Sequence, residues 1–217
     1  MNKKKLVLLA ILVVILVTGL LVFRQYKISF QKVTININNS SSTVRVGLYE
    51  RKDIEGEPQK TGEELQTITS GETFKLKKGM YVLVPKGEQL DPTPIRLTVQ
   101  ATPVNLTLDI PYTQEYLQQL LTSESAAIQT AITAKYPTLT KDYTLNPGLL
   151  YHRGEWYGTT IDNKIGPENN RFGDTLRLVL QKKDGQWVVL STPPEILLSA
   201  PNYPQVPVDF LRIINQL

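Results

Sequence analysis

The sequence predicts three structures in chain order: a single N-terminal transmembrane helix, an all-β antiparallel sandwich, and an α+β domain with a helix packed on an antiparallel sheet. Three observations predict that order. Leu6 to Phe23 is a run of 18 residues without a charge. From Val33 to Ile110, apolar and polar residues alternate with a period of two, the strand signature. From Leu117 to Ile132 the apolar residues recur at spacings of three, four and seven, the signature of an amphipathic helix, and strand patterns then return. The corresponding limits are 1–27 for a tail and spanning helix, 28–111 for the sandwich and 112–217 for the α+β domain.

As a helix, Leu6 to Phe23 would reach roughly 27 Å, near the roughly 30 Å hydrocarbon thickness of a bilayer. Lys3, Lys4 and Lys5 precede it, and Arg24 and Lys27 follow. A cleaved signal peptide has a shorter apolar stretch and a small-residue cleavage site. Val22-Phe23-Arg24-Gln25 offers none, so an uncleaved anchor is expected ahead of a signal peptide or a buried helix. The lysines place the N-terminus in the cytoplasm and the residues after about 28 outside it, as a single-pass protein of a cell membrane.

The 217 residues carry 24 Lys+Arg, 20 Asp+Glu, one histidine and no cysteine. Without cysteine there is no disulfide, thiolate metal site or cysteine nucleophile. A single histidine, His152, excludes a multi-histidine metal site. The net charge of +4 has a local origin: residues 1–27 hold five basic residues and no acid, leaving 19 basic against 20 acidic beyond them. A nucleic-acid binder needs a basic patch. The one cluster, Lys75-Leu76-Lys77-Lys78, reads as a strand edge or turn whose lysines discourage aggregation. No nucleic acid and no cofactor are therefore expected.

In the sandwich region, Val33, Ile35 and Ile37 alternate with Thr34, Asn36 and Asn38. Val44 to Tyr49, Phe74 to Lys77, Ile95 to Gln100 and Val104 to Ile110 repeat the pattern, and Met80 to Val84 is a continuous apolar strand. Asn38 to Ser42, a charged stretch with Gly56, Pro58 and Gly62, Ser70-Gly71, Lys78-Gly79, and Pro92 with Pro94 separate them as loops or turns. Asp53, Glu55 and Glu57 lack the ordered set of oxygen ligands that calcium needs and read as a solvated loop. Gly79 and Tyr81 read as a turn followed by a core tyrosine corner. Lys78-Gly79-Met80-Tyr81-Val82-Leu83-Val84, followed by a glycine-containing loop and two alternating strands, resembles a PEGA or carboxypeptidase-regulatory-like module. Gly79 and Tyr81 match that pattern, Lys78 replaces its proline, and the Pro-Glu-Gly-Ala signature is absent. The resemblance implies an extracytoplasmic β-sandwich used as a spacer or binding module.

In the third region Thr113 is placed to cap the helix and Tyr136-Pro137 to end it, with an interruption at Ser123-Glu124-Ser125. Trp156 to Ile161 is a strand. Leu176 to Gln181 and Gln186 to Ser191 form a hairpin about Asp184-Gly185, and Pro193-Pro194 stops it. Pro207 starts a last helix with Phe210, Leu211, Ile214 and Leu217 on its apolar side. Helix, then Gly154-Glu155-Trp156-Tyr157, then Leu176 to Leu180 and Lys183-Asp184-Gly185-Gln186-Trp187 resembles a cystatin-like or NTF2-like domain, as in membrane-anchored bacterial proteins. That resemblance implies a fold and leaves function open. Gln205-Val206-Pro207-Val208 does not match the cystatin inhibitory motif.

Residues 151–174 concentrate the chemistry: Tyr151, His152, Arg153, Glu155, Trp156, Tyr157, Asp162, Glu168, Arg171 and Asp174. Tyr151, His152, Glu155 and Trp156 are the candidate ligand or partner contacts, with no catalytic residue assigned. The expected function is non-catalytic: binding and spacer domains serving protein–protein interaction at a bacterial cell envelope. Two alternatives remain open. One is an NTF2-like enzyme or small-ligand binder pairing His152 with Glu155 or Asp174 in a cavity. The other is an accessory subunit of an envelope complex. A polar cavity would favour the enzyme, and buried Trp156 and Trp187 in a filled core would favour the binding protein.

Overall fold

A computed structural model describes residues 12–20, 23, 30–38, 44–164, 175–191 and 195–217. The chain divides into two compact units, Met1–Ile110 and Pro111–Leu217.

The transmembrane expectation is corrected here. Among the described residues no helix is long and apolar enough to cross a membrane. Within the expected span Leu6 to Phe23, helix is described at residues 12–20 and at Phe23, and residues 6–11 and 21–22 lie outside the described residues. The single-pass membrane assignment is therefore withdrawn.

The described residues of the first unit form the strands β1 (Phe30–Ile37), β2 (Arg45–Ile54), β3 (Glu57–Thr69), β4 (Glu72–Lys77), β5 (Gly79–Lys86), β6 (Ile95–Val99) and β7 (Val104–Leu108). They form two sheets, ordered β4-β1-β7 and β3-β2-β5-β6. The alternation fixes which side chains are buried: Val33, Ile35 and Ile37 from one sheet, and Val46, Leu48, Ile68, Leu83, Leu97 and Val99 from the other. The chain passes between sheets at Ser70-Gly71, where Gly71 adopts a positive φ and donates to the Ile35 carbonyl at 2.8 Å.

Two expectations about this unit change. The sandwich is not wholly antiparallel, because β1 and β7 pair in parallel from Val33↔Val104 to Ile37↔Leu108. They are the unit's first and last strands, and the long path between them permits the parallel arrangement that a hairpin forbids. The charged loop around residues 55–62 is instead the tip of a β2–β3 hairpin, turning at Glu55-Gly56 with φ of 54° and 87°. That hairpin is mostly solvent-exposed, so no core imposes the alternation by which a strand is read. Of the polar loop expected at Asn38 to Ser42, residues 39–42 lie outside the described residues.

Tyr81 is buried, and its hydroxyl donates to the Lys77 carbonyl at 2.9 Å. Burial raises its pKa. The side chain folds back over Gly79, where an added Cβ would meet the ring at 3.3 Å. This is the expected tyrosine corner.

The second unit contains α1 (Gln114–Lys135), α2 (Leu139–Asp142), β8 (Tyr143–Leu145), β9 (Leu149–Tyr151), β10 (Trp156–Asn163), β11 (Leu176–Lys183), β12 (Gln186–Val189) and α3 (Val208–Gln216). The sheet runs β12-β11-β10-β8, with β9 also pairing with β10. Thr113 caps α1, accepting from the Tyr116 amide at 3.3 Å. The helix is continuous through Ser123-Glu124-Ser125, contrary to expectation. Ser123 and Ser125 donate to the carbonyls three residues back, so their hydroxyls are satisfied without breaking the helix.

Both faces of this sheet are covered. On one, Leu117, Ile128 and Ile132 of α1 pack with Tyr157, Ile161, Leu178, Leu180 and Trp187. On the other, Phe210, Leu211 and Ile214 of α3 pack with Trp156, Val179, Leu198, Tyr203 and Val206. Double coverage explains why Trp156 to Ile161 is buried without alternation. The hairpin turns at Asp184-Gly185, with φ of 50° and 80°. Leu217, expected on the apolar side of α3, is exposed because the helix ends at Gln216. Pro193-Pro194 lies outside the described residues.

Candidate functional site

The tight turn joining β9 to β10 carries the candidate residues. Its backbone is unusual: His152 has φ 63° and Gly154 φ 75°. The left-handed region costs a histidine more than a glycine, so it is held there by surrounding bonds. The Gly154 amide donates to the Tyr151 carbonyl at 3.1 Å, and the Tyr112 amide, just before α1, donates to the His152 carbonyl at 2.8 Å. The Lys182 amide of β11 donates to the Glu155 carbonyl at 2.8 Å. Glycine is required at 154 on a second count, because a Cβ there would sit 2.4 Å from Leu120 Cδ2.

The side chains divide between core and surface. Trp156 is only 7% exposed and belongs to the core beneath α3. Tyr151 is half-buried, and its ring stacks on Phe210 at 4.9 Å and 20°. Glu155 points outward, its side chain 42% exposed, with its carboxylate 3.3 Å from Arg153 Nη2 and 3.6 Å from His152 Nδ1. The turn thus gathers an exposed carboxylate against a mostly buried imidazole and guanidinium, their side chains 18% and 9% exposed, on a rigid frame. Tyr151, His152 and Glu155 come together, while Trp156 supports them from behind. Asp162 belongs elsewhere, accepting from Asn146 Nδ2 at 2.7 Å and from the Thr175 hydroxyl at 3.1 Å. Glu168, Arg171 and Asp174 lie outside the described residues.

Two polar centres escaped sequence reasoning. Glu124 projects from the middle of α1 to the sheet, where Lys182 Nζ lies 2.6 Å from one oxygen and Trp187 Nε1 donates to the other at 2.7 Å. Burial acts to raise the Glu124 pKa, but the two hydrogen bonds and the lysine charge outweigh it and hold the carboxyl below its ordinary value. Its position four residues after Leu120 and four before Ile128 was the available signal. The second is Arg177, buried on β11. Its guanidinium donates to the carbonyls of Ile214 at 2.9 Å, Asn215 at 3.1 Å, Thr175 at 3.2 Å and Ile196. It thereby satisfies carbonyls in the last turn of α3, where a cation suits the helix dipole. Asn215 completes the tie, its side chain exchanging two hydrogen bonds with the Leu198 backbone.

No group of acidic or histidine side chains among the described residues has the arrangement of a metal site. No family model, curated protein or solved structure matches this chain.

Proposed function

We propose that this protein is a non-catalytic binding protein. Its second unit carries the contact for a protein partner at the β9–β10 turn, and its β-rich unit serves as a spacer or binding module. The burial of Trp156 and Trp187, 7% and 8% exposed, carries this reading. Both indoles fill core positions on opposite faces of the sheet, where a cavity enzyme would leave space for substrate. The His152–Glu155 pair also supports it, since the two residues sit in one turn at i and i+3 instead of facing each other across a pocket. A rigid turn that offers an exposed carboxylate, already oriented by Arg153 and His152, loses little entropy on docking, which favours binding. The resemblances to PEGA-like and cystatin-like or NTF2-like modules are compatible with this use.

Photo-cross-linking tests the reading. A cross-linking residue at position 155 should give a discrete protein adduct in a native extract, and the same residue at Glu115 should not. The adduct should weaken when His152 is changed to alanine at unchanged melting temperature. A small-molecule turnover abolished by His152→Ala at unchanged melting temperature would overturn the proposal in favour of an enzyme.

A further inference from the structure

Among the described residues the first unit has four sheet edges, and they differ in how they are guarded. Sheet edges expose backbone donors and acceptors to any passing strand, and charges or prolines usually protect them. Edge strand β3 carries Glu57, Pro58, Lys60, Glu63 and Glu64. Edge strand β4 carries Glu72, Lys75 and Lys77. Edge strand β6 carries Arg96, which donates to the Gly56 carbonyl. The fourth edge, β7, reads Val-Asn-Leu-Thr-Leu, with neither charge nor proline. The uncharged stretch extends from Leu97 to Leu108.

The core also reaches this edge and stops there. Val33 and Ile35 on β1 are fully buried, whereas their partners Val104 and Leu106 on β7 are only half-buried. Asn105 and Thr107 face solvent. One more strand beside β7, apolar at alternate positions and uncharged between them, would continue the core and satisfy the edge.

The chain contains such a strand in β7 itself. We infer that β7 is a self-pairing edge, two copies meeting antiparallel about Leu106 to form a continuous six-stranded sheet, β4-β1-β7-β7-β1-β4. In that register Leu106 meets Leu106, Val104 meets Leu108, and Asn105 meets Thr107. Each face is matched and no like charges oppose, as a two-fold interface requires. A charged partner strand would lack counter-charges along β7. Pairing at β7 is independent of what the β9–β10 turn binds.

Sedimentation equilibrium of the full chain tests this. Five paired residues form a small interface, so the dimer should appear at roughly 100 μM and dissociate on dilution. The exposed pair N105K+T107K places like charges opposite one another and should leave a monomer with unchanged melting temperature. N105K+T107E should restore the dimer, because position 105 of one copy lies against position 107 of the other. The chain has no cysteine. N105C+T107C should therefore give a disulfide-linked dimer on oxidation, and K75C on the β4 edge should not. A wild type that remains monomeric, as it would if β7 took a strand from another protein, overturns the inference. So does association that the double-lysine change leaves intact.

Discussion

The carboxylate of Glu124 on α1 accepts the indole hydrogen of Trp187 on β12 at 2.7 Å, joining the middle of a 22-residue helix to the sheet's edge strand. Lys182 holds the other carboxylate oxygen, and its ammonium lies 5.8 Å from the centre of the Trp187 ring. Glu124→Ala would leave a mostly buried indole N–H and a half-buried ammonium without their acceptor. The expected loss is about 1–3 kcal/mol, measured by urea unfolding followed through tryptophan fluorescence. No loss would mean that the contact is replaced by water at no cost.

The same carboxyl sets a pH dependence. Its folded pKa lies below the ordinary value of 4.5, so the folded chain binds fewer protons there than the unfolded one. Its stabilisation is complete above that ordinary value and is lost as pH falls through the folded one. The stability gap between wild type and Glu124→Gln should stay constant from neutral pH to about 5 and shrink at lower pH. A gap that widened on acidification would contradict the assignment. Glu64 in the first unit behaves similarly further down. Hydrogen bonds from Lys86 and Thr67 lead, burial opposes them, and Tyr49 adds to them, holding its carboxyl at about 2. NMR titration should find its midpoint well below the ordinary carboxyl range.

Gly158 on β10 is where α3 comes closest to the sheet. An added Cβ would lie 2.0 Å from Ile214 Cδ1 and 2.9 Å from Phe210 Cζ. Gly158→Ala should cost about 1–3 kcal/mol through overpacking. Shortening the opposing side chain in Gly158→Ala/Ile214→Val should recover part of that loss. A double variant no better than the sum of the singles would argue against direct contact.

Among the described residues Arg177 donates to the carbonyls of Ile214, Thr175, Ile196 and Asn215, so its removal takes a donor from four acceptors at once. Arg177→Met should cost about 3 kcal/mol or more. It should also make the segment after residue 195 the first site of limited proteolysis. Arg177→Lys should rescue little, because an ammonium cannot reproduce the planar fork that reaches Ile214, Asn215 and Ile196 together. Proteolysis unchanged in both variants would show that α3 is held by packing alone.

Much of the first unit was legible because one face of each main strand is buried, and burial writes alternation into the sequence. Val33-Ile35-Ile37 and Ile95-Leu97-Val99 are readable for that reason. The β2–β3 hairpin tip has little buried side, and so it passed for a charged loop. Trp156 entered the candidate site because an aromatic residue beside His152 and Glu155 reads equally well as a contact or as core. Only the seating of α3 put it in the core. Arg177 was hidden by its neighbours: an arginine in an apolar run carries no local sign that its partners are carbonyls up to 38 residues away.

By itself the sequence determined the periodic elements, the boundary chemistry and the turns: the Thr113 cap, the Asp184-Gly185 hairpin, the tyrosine corner at Tyr81, and a charge balance confined to the first 27 residues. These depend on interactions a few residues apart, which spacing records directly. Tertiary structure decided that β1 and β7 run parallel, that the second sheet is covered on both faces, and that Glu124 and Arg177 are structural ties. Each of those depends on which distant residues share a face. Packing selects that through buried area and the satisfaction of buried polar groups, and no local spacing encodes it.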